Sequence, residues 1–318
     1  MRYVTLGHSG LLVSKVGLGA NNFGMRVDLE GTRAVVDAAL EAGINLIDTA
    51  DSYGGKGGSE ELLGQVLKGH WDEVVLATKF GSDMAGAYGD DHGARASRRY
   101  IRRAVEGSLR RLQTDHIDLY QLHRPDGVTP LAETLDALDE LVREGKIGYA
   151  GSSNLAGWQV AEADWLARTR HTTRFVSAQP HYSLLHREVE AEVVPAALAH
   201  GVGILPYFPL ASGLLTGKWR RGEAPPSGSR LADPRFGAEA TPEAFDVIEA
   251  LSSFAAERGL TTVDVAIGGL AAQPGVASVI AGATSPEQVK ANAAAGEWEP
   301  APEDLAGLDR AAPPGRAA

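Results

Sequence analysis

Gly43-Ile44-Asn45-Leu46-Ile47-Asp48-Thr49-Ala50-Asp51-Ser52-Tyr53-Gly54 is the stretch from which the fold can be read. A glycine opens it, a short apolar run follows, and that run ends on a carboxylate before a polar, glycine-rich loop. Just upstream, residues 32–42 have the length and apolar spacing of an amphipathic helix, with Gly43 where such a helix ends in a left-handed residue. Just downstream, residues 59–67 read as the next helix, with Ser59 as a cap ahead of Glu60 and Glu61. The run 44–48 is apolar on both faces, as in a strand covered by helices on both sides. Helix, buried strand, loop, helix is the repeating unit of a parallel α/β fold.

The unit recurs in both directions. Strand-like runs at 15–19, 44–48, 74–79, 117–123, 147–151, 174–179, 202–207 and 276–281 alternate with helical stretches at 32–42, 59–67, 97–112, 131–144, 158–167, 188–199, 243–257 and 286–294. Leu135, Leu138, Leu141 and Val142 form one apolar stripe, Ser285-Pro286-Glu287 opens a helix, and Gly145, Gly201 and Gly259 follow last turns as Gly43 does. Eight such units predict an α/β fold of the (β/α)8 TIM-barrel type, a single domain over residues 1–318 with its core at about 15–295. A doubly wound sheet would want a third glycine in register after its first strand, and Gly17-Leu18-Gly19-Ala20-Asn21-Asn22 lacks it. Residues 2–6 and 11–14 around Gly7-His8-Ser9-Gly10 predict a β-hairpin plugging the barrel bottom. The Gly-, Pro- and Arg-rich segment 210–241 predicts a long loop after strand seven, with a lid or binding role, and 311–318 a frayed tail.

Composition narrows the function. Against 41 Asp and Glu there are 30 Lys and Arg, a net charge of −11, which disfavours nucleic acid and anionic membranes as partners. The arginines at 98, 99, 102, 103, 110 and 111 follow helical spacing and read as an exposed helix face. No cysteine is present, so disulfides and thiolate chemistry are out. The N-terminus has no apolar signal-peptide core, and no run approaches the roughly 18 apolar residues of a membrane span. A cytoplasmic protein acting on a small molecule is expected; oligomeric state is not readable.

Active sites of such barrels lie at the C-terminal ends of the strands. The polar residues there are Asp48, Lys79, His123, Ser152, Ser153, Asn154, Gln179 and Tyr207, with Tyr53 five residues beyond Asp48. Alone, Lys79 reads as a solvated strand-end charge, His123 as a core histidine and Tyr53 as packing. Together they can protonate a carbonyl. A free phenol, with its pKa of about 10, is a poor acid at neutral pH, and a neighbouring ammonium lowers that value. Asp48 would hold the lysine charged, and His123 could hydrogen-bond the carbonyl oxygen. The set holds no strong nucleophile and no cluster with metal-ligand spacing (metal: none expected), so the reductant must be a bound cofactor.

These residues resemble the aldo-keto reductase superfamily. The likeness runs from about Leu6 to Ala294 and is carried by Asp48-Thr49-Ala50 with Tyr53-Gly54, Ala77-Thr78-Lys79-Phe80-Gly81, Gln121-Leu122-His123-Arg124-Pro125-Asp126, Gly151-Ser152-Ser153-Asn154, Pro209 to Lys218, and Gly282-Ala283-Thr284-Ser285-Pro286-Glu287-Gln288 with Asn292. It implies reduction of aldehydes or ketones by NADP(H), with NAD(H) left open, and a small-molecule carbonyl compound as the partner. On that resemblance Tyr53 is the general acid, tuned by Lys79 and Asp48, and His123 orients the carbonyl. Ala20 and Asn21 count among the cofactor contacts, Ser153, Asn154 and Gln179 grip the nicotinamide carboxamide, and Tyr207 stacks beneath the ring. Phe208, Pro209, Leu210, Ala211, Ser212, Lys218 and Arg230 cover the pyrophosphate, and Gly282, Thr284, Gln288 and Asn292 receive the adenosine end. Two departures stand out: Gly282 and Gln288 occupy positions where relatives carry basic residues for a 2′-phosphate, and Asn21 stands where relatives often have Trp. The alternatives are an accessory subunit with vestigial chemistry, a sugar or alcohol dehydrogenase running oxidatively, and a sugar isomerase or hydrolase, for which Asp51 is the one further carboxylate near Asp48.

Overall fold

A computed structural model describes residues 1–225 and 229–315. The chain opens with a hairpin, β1 (Tyr3–Thr5) antiparallel to β2 (Leu12–Ser14), in the register Tyr3↔Ser14. Then follow β3 (Val16–Gly19), α1 (Leu29–Glu41), β4 (Leu46–Asp48), α2 (Tyr53–Val66), β5 (Val75–Phe80), α3 (Arg98–Leu112), β6 (Ile117–Leu122), α4 (Leu131–Arg143), β7 (Ile147–Ser153), α5 (Gly157–Arg170), β8 (Phe175–Gln179), α6 (Val193–His200) and β9 (Gly203–Ile204). After the long loop with its short α7 (Pro234–Gly237) come α8 (Pro242–Ala256), α9 (Thr262–Ala271), β10 (Val279–Gly282), α10 (Pro286–Ala295) and α11 (Pro302–Ala311).

Strands β3 to β10 form an all-parallel sheet in the order β10-β3-β4-β5-β6-β7-β8-β9. Parallel bridges Ile204↔Val276 and Tyr207↔Ile280 join its two ends and close the ring. The fold is thus the predicted (β/α)8 barrel. Its bottom is stoppered by the hairpin: Leu6 and Val13 pack with Leu46, Ala77, Leu119, Leu205 and Ile280 from the barrel interior. Gly7 permits this approach, since a Cβ there would lie 2.5 Å from the Val176 carbonyl oxygen, and its φ of +56° suits glycine.

Local signals translate unevenly. Gly43, Gly145, Gly201 and Gly259 all have positive φ, as helix stops require. Ser59, expected as a cap, instead donates to the Ala20 carbonyl and bonds Thr49 Oγ1 at 2.8 Å. Ahead of it, Gly54 to Gly57 hold positive φ throughout, so the continuous right-handed helix of α2 begins only after this turn. The run 202–207 contributes only Gly203–Ile204 as regular strand, because Pro206 has no N–H to give the ladder. The stretch 188–199 breaks into a 3-10 turn, Glu188–Glu190, and α6, with Pro195 in the first turn of the latter. Helices α9 and α11 were not foreseen; α9 is buried nearly all round and has no polar face to give it a period. The expected frayed end meets structure as far as Ala312, which is buried and accepts a hydrogen bond from Arg187 Nη1, while residues 316–318 lie outside the described residues. Of the expected lid 210–241, residues 226–228 lie outside them too. Among the described residues no helix is long and apolar enough to cross a membrane.

Candidate active site

Parallel pairing aligns the strand ends. Asp48 pairs with Ala77 on β5, Lys79 with Gln121 on β6, Gln121 with Gly151 on β7 and Ser153 with Gln179 on β8. Side chains of this layer point into the barrel mouth and meet. Lys79, with no solvent exposure, donates from Nζ to Asp48 Oδ2 at 2.6 Å and to the Thr49 carbonyl at 2.8 Å. The other Asp48 oxygen accepts from Gln179 Nε2 at 2.8 Å and Gln121 Nε2 at 3.3 Å, and Ser177 Oγ donates to Gln121 Oε1. Every polar atom of the pair thus has a partner, the condition for burying an ion pair. Gly151 makes room for this network: a Cβ there would fall 2.1 Å from Ser177 Oγ.

Tyr53 stands on the cavity side of this pair. Lys79 Nζ lies 5.1 Å from the centroid of its ring, and the His123 ring meets it edge-on at 5.7 Å. Burial and the Asp48 charge raise the phenol's pKa above its ordinary value, although the Lys79 ammonium pulls it down. The expected net lowering is therefore corrected: desolvation at the barrel mouth outweighs the ammonium, and the phenol is a neutral proton carrier at pH 7. Asp48 in turn keeps the lysine protonated, its pKa above the usual value despite burial. Burial together with Lys79 and Arg124 lowers the imidazole of His123 to about 3, so His123 is neutral. Its Nδ1 lies 3.0 Å from Ser82 Oγ. With that hydroxyl donating, the ring proton belongs on Nε2.

These groups open on a cleft of ≈ 840 Å³ along the barrel mouth. Asn21, Ser153, Asn154, Gln179, Tyr207, Phe208, Pro209, Leu210, Ser212, Lys218, Arg230, Gly282, Thr284, Gln288 and Asn292 all line it, together with Asp48, Tyr53 and His123. Ala20 and Ala211 do not: both are fully buried, Ala20 giving its carbonyl to Ser59 and Ala211 packing with Leu214 and Leu231. Tyr207 rests on His181 with the rings 5.3 Å apart and nearly parallel, and its hydroxyl donates to Asn154 Oδ1. Asn154 donates to the His123 carbonyl, and Ser153 Oγ to the Gln179 carbonyl. Asp51 is fully buried, outside the cleft lining, and its carboxyl is pushed well above the usual range by burial and by Glu60. Asp48 is accordingly the single carboxylate lining the cleft among the described residues, which removes the two-carboxylate geometry of a hydrolase.

The model of the aldo/keto reductase family matches residues 15–313, nearly the whole chain. The chain belongs to the aldo/keto reductase family. It is 38% identical over 299 residues to "Uncharacterized oxidoreductase YrpG" of Bacillus subtilis (strain 168), covering 91% of this chain and 89% of that one. "Aldo-keto reductase YhdN" of the same organism is 36% identical, with 92% and 87% covered. "Probable voltage-gated potassium channel subunit beta" of Oryza sativa subsp. japonica is 35% identical, with 92% and 90% covered. This aldo/keto reductase is an NAD(P)H-dependent oxidoreductase.

The cleft fits a dinucleotide. Ser212 Oγ and Ser229 Oγ are buried on its wall with no hydrogen-bond partner among the described atoms, beside the exposed ammonium of Lys218. Phe208, Ala211 and Ser212 hold positive φ, a strain more often found at ligand sites than elsewhere. Arg230 lies against the rings of Phe208 and Phe236 and donates to Asn21 and Asn22. At the far end, Thr284 N–H donates to Gln288 Oε1 where α10 begins.

Sequence reasoning missed Ser82, Gln121 and Ser177. Their partners lie 41, 73 and 56 residues away in the chain, so no local pattern marks them. It also left Arg26 off the cleft wall, where the structure puts it.

Proposed function

We propose that the chain reduces an aldehyde or ketone to the alcohol with NADP(H), Tyr53 supplying the proton. The observation behind this reading is the environment of one phenol, edge-on to a neutral imidazole and 5.1 Å from a buried ammonium. When bound, the dinucleotide supplies the hydride. Tyr53 gives its proton to the carbonyl oxygen as that oxygen gains negative charge, and the Lys79 ammonium stabilises the phenolate left behind. Asp48 and the Thr49 carbonyl hold the ammonium in place. His123, neutral and oriented by Ser82, donates from Nε2 to the same oxygen and so aims the carbonyl at Tyr53.

Asn154 and Gln179 would hold the nicotinamide end, and Tyr207 would offer it a flat ring. Lys218 and Arg230 would supply positive charge for the diphosphate and the 2′-phosphate, which favours NADP(H) over NAD(H). Tyr53→Phe tests the assignment. It should lower kcat by about 10²–10⁴-fold, while NADPH still quenches the protein's fluorescence with the wild-type Kd. Full activity in that variant would take the acid role from Tyr53.

A second reading, an accessory subunit with slow chemistry, is favoured by the name of the rice relative. Sustained NADPH consumption over many turnovers with a panel of aldehydes decides for the reductase. Oxidation of a single equivalent without turnover decides for the subunit.

A further inference from the structure

The charge lining the cleft is opposite in sign to that of the chain. Asp48 is the one acidic side chain on its wall among the described residues, and Lys79 neutralises it; Arg26, Arg124, Lys218 and Arg230 are the basic ones. A protein of net charge −11 thus turns a positive recess toward its ligands. Lys218 and Arg230, on the long loop after β9, serve the phosphates of a dinucleotide in the reading above. Arg124 comes from a different element of the fold. It follows His123 at the end of β6, is exposed, and shares the wall with Tyr53, His123, Asn154 and Tyr207.

No carboxylate among the described residues pairs with Arg124. Arg95, by contrast, pairs with Asp83 and Asp91. Its charge nevertheless reaches the reacting groups, drawing down the phenols of Tyr53 and Tyr207 and disfavouring protonation of His123. An unpaired guanidinium is a planar fork of donors suited to a carboxylate in bidentate contact.

We propose that the substrate is a carbonyl compound carrying a carboxylate, and that Arg124 at the end of β6 receives that carboxylate while the carbonyl lies between Tyr53 and His123. This rests on the reductase reading. It adds that substrate choice is electrostatic: a neutral carbonyl compound meets the same acid and imidazole but leaves Arg124 without its counter-charge. One guanidinium matches one carboxylate in charge and geometry, whereas a phosphate dianion would call for a second cation beside it.

The test compares 3- and 4-carboxybenzaldehyde with the corresponding formylbenzamides, which differ in charge and little in size, and with 4-formylphenyl phosphate. Steady-state NADPH consumption gives kcat and KM for wild type, Arg124→Gln and Arg124→Lys. The ratio of kcat/KM for carboxylate over carboxamide should fall about tenfold in Arg124→Gln, chiefly through KM, and be partly kept in Arg124→Lys. Added salt should narrow the wild-type ratio. Turnover of the carboxamides in each variant reports that the fold and the acid are intact. A ratio unchanged within about twofold between wild type and Arg124→Gln overturns the proposal and leaves the reductase reading standing. A wild-type preference for the aryl phosphate over both carboxylates overturns the carboxylate assignment. Absence of turnover with every aldehyde brings down the reductase reading, and this proposal with it.

Discussion

Replacing Lys79 by Met removes an ammonium that has two separable consequences, one for the fold and one for the phenol. At 2.6 Å from Asp48 Oδ2, with an effective dielectric constant of about 20, the gross attraction is about 6 kcal/mol. Desolvation of both groups offsets much of it, and removing one partner of a buried pair typically costs about 3–5 kcal/mol. Asp48 retains two amide donors, from Gln179 and Gln121, so the lower end, about 3 kcal/mol, is expected. The second consequence concerns Tyr53. Its phenol already sits above the ordinary value, and losing the Lys79 charge raises it further while leaving the phenolate without a counter-charge. Turnover should fall by about 10²–10⁴-fold. Adding Asp48→Asn separates the two effects. It removes the stranded carboxylate, so urea midpoints should recover most of the lost stability, and NADPH consumption with a good aldehyde should stay low. If turnover returned together with stability in the double variant, the lysine would be a structural counter-ion only, and its proposed influence on the phenol would be refuted.

Other outcomes follow from the same geometry. His123 titrates at about 3, and a base with a lowered pKa takes up its proton only below that value, so the imidazole stays neutral throughout the working range. Tyr53, raised above its ordinary value, keeps its proton well past neutrality. Turnover at saturating cofactor should therefore be flat between about pH 5 and 9; a limb near pH 6.5 that vanishes on replacing His123 contradicts this. Ser82→Ala releases the imidazole's Nδ1 and should lower kcat about tenfold with NADPH affinity unchanged. Ser82→Thr, which keeps the hydroxyl, should restore most of the rate, and failure to do so would assign Ser82 to packing.

Much of this protein is legible in order along the chain. The alternation of helix and doubly buried strand produced the barrel, because a strand covered on both faces must be apolar on both. Strand ends produced Asp48, Lys79, His123 and Gln179, because a polar group closing an apolar run needs a partner. The cofactor stretches were reached through motif likeness, and fifteen of the seventeen residues so assigned line one cleft; Ala20 and Ala211 are the exceptions, buried behind it. What failed was local. Ser59 has the composition of a cap but serves as a buried tie between α2 and the ends of β3 and β4. Helix α9 has no amphipathic period because tertiary packing covers it on nearly all sides.

By itself the amino-acid sequence determined the fold class, the strand ends that carry chemistry and the sign of the overall charge, since all of these follow from periodicity, composition and short-range order. Only the tertiary structure decided how the carboxylate is shared, with Asp48 divided between Lys79, Gln179 and Gln121. It also decided that Ser82 contacts His123, that desolvation outweighs the ammonium at Tyr53, and that Arg124 is left unpaired on the cleft wall. The physical reason is common to all four. Protonation and hydrogen bonding depend on which groups lie within a few ångströms and how much water is excluded, and the contacts concerned join segments tens of residues apart.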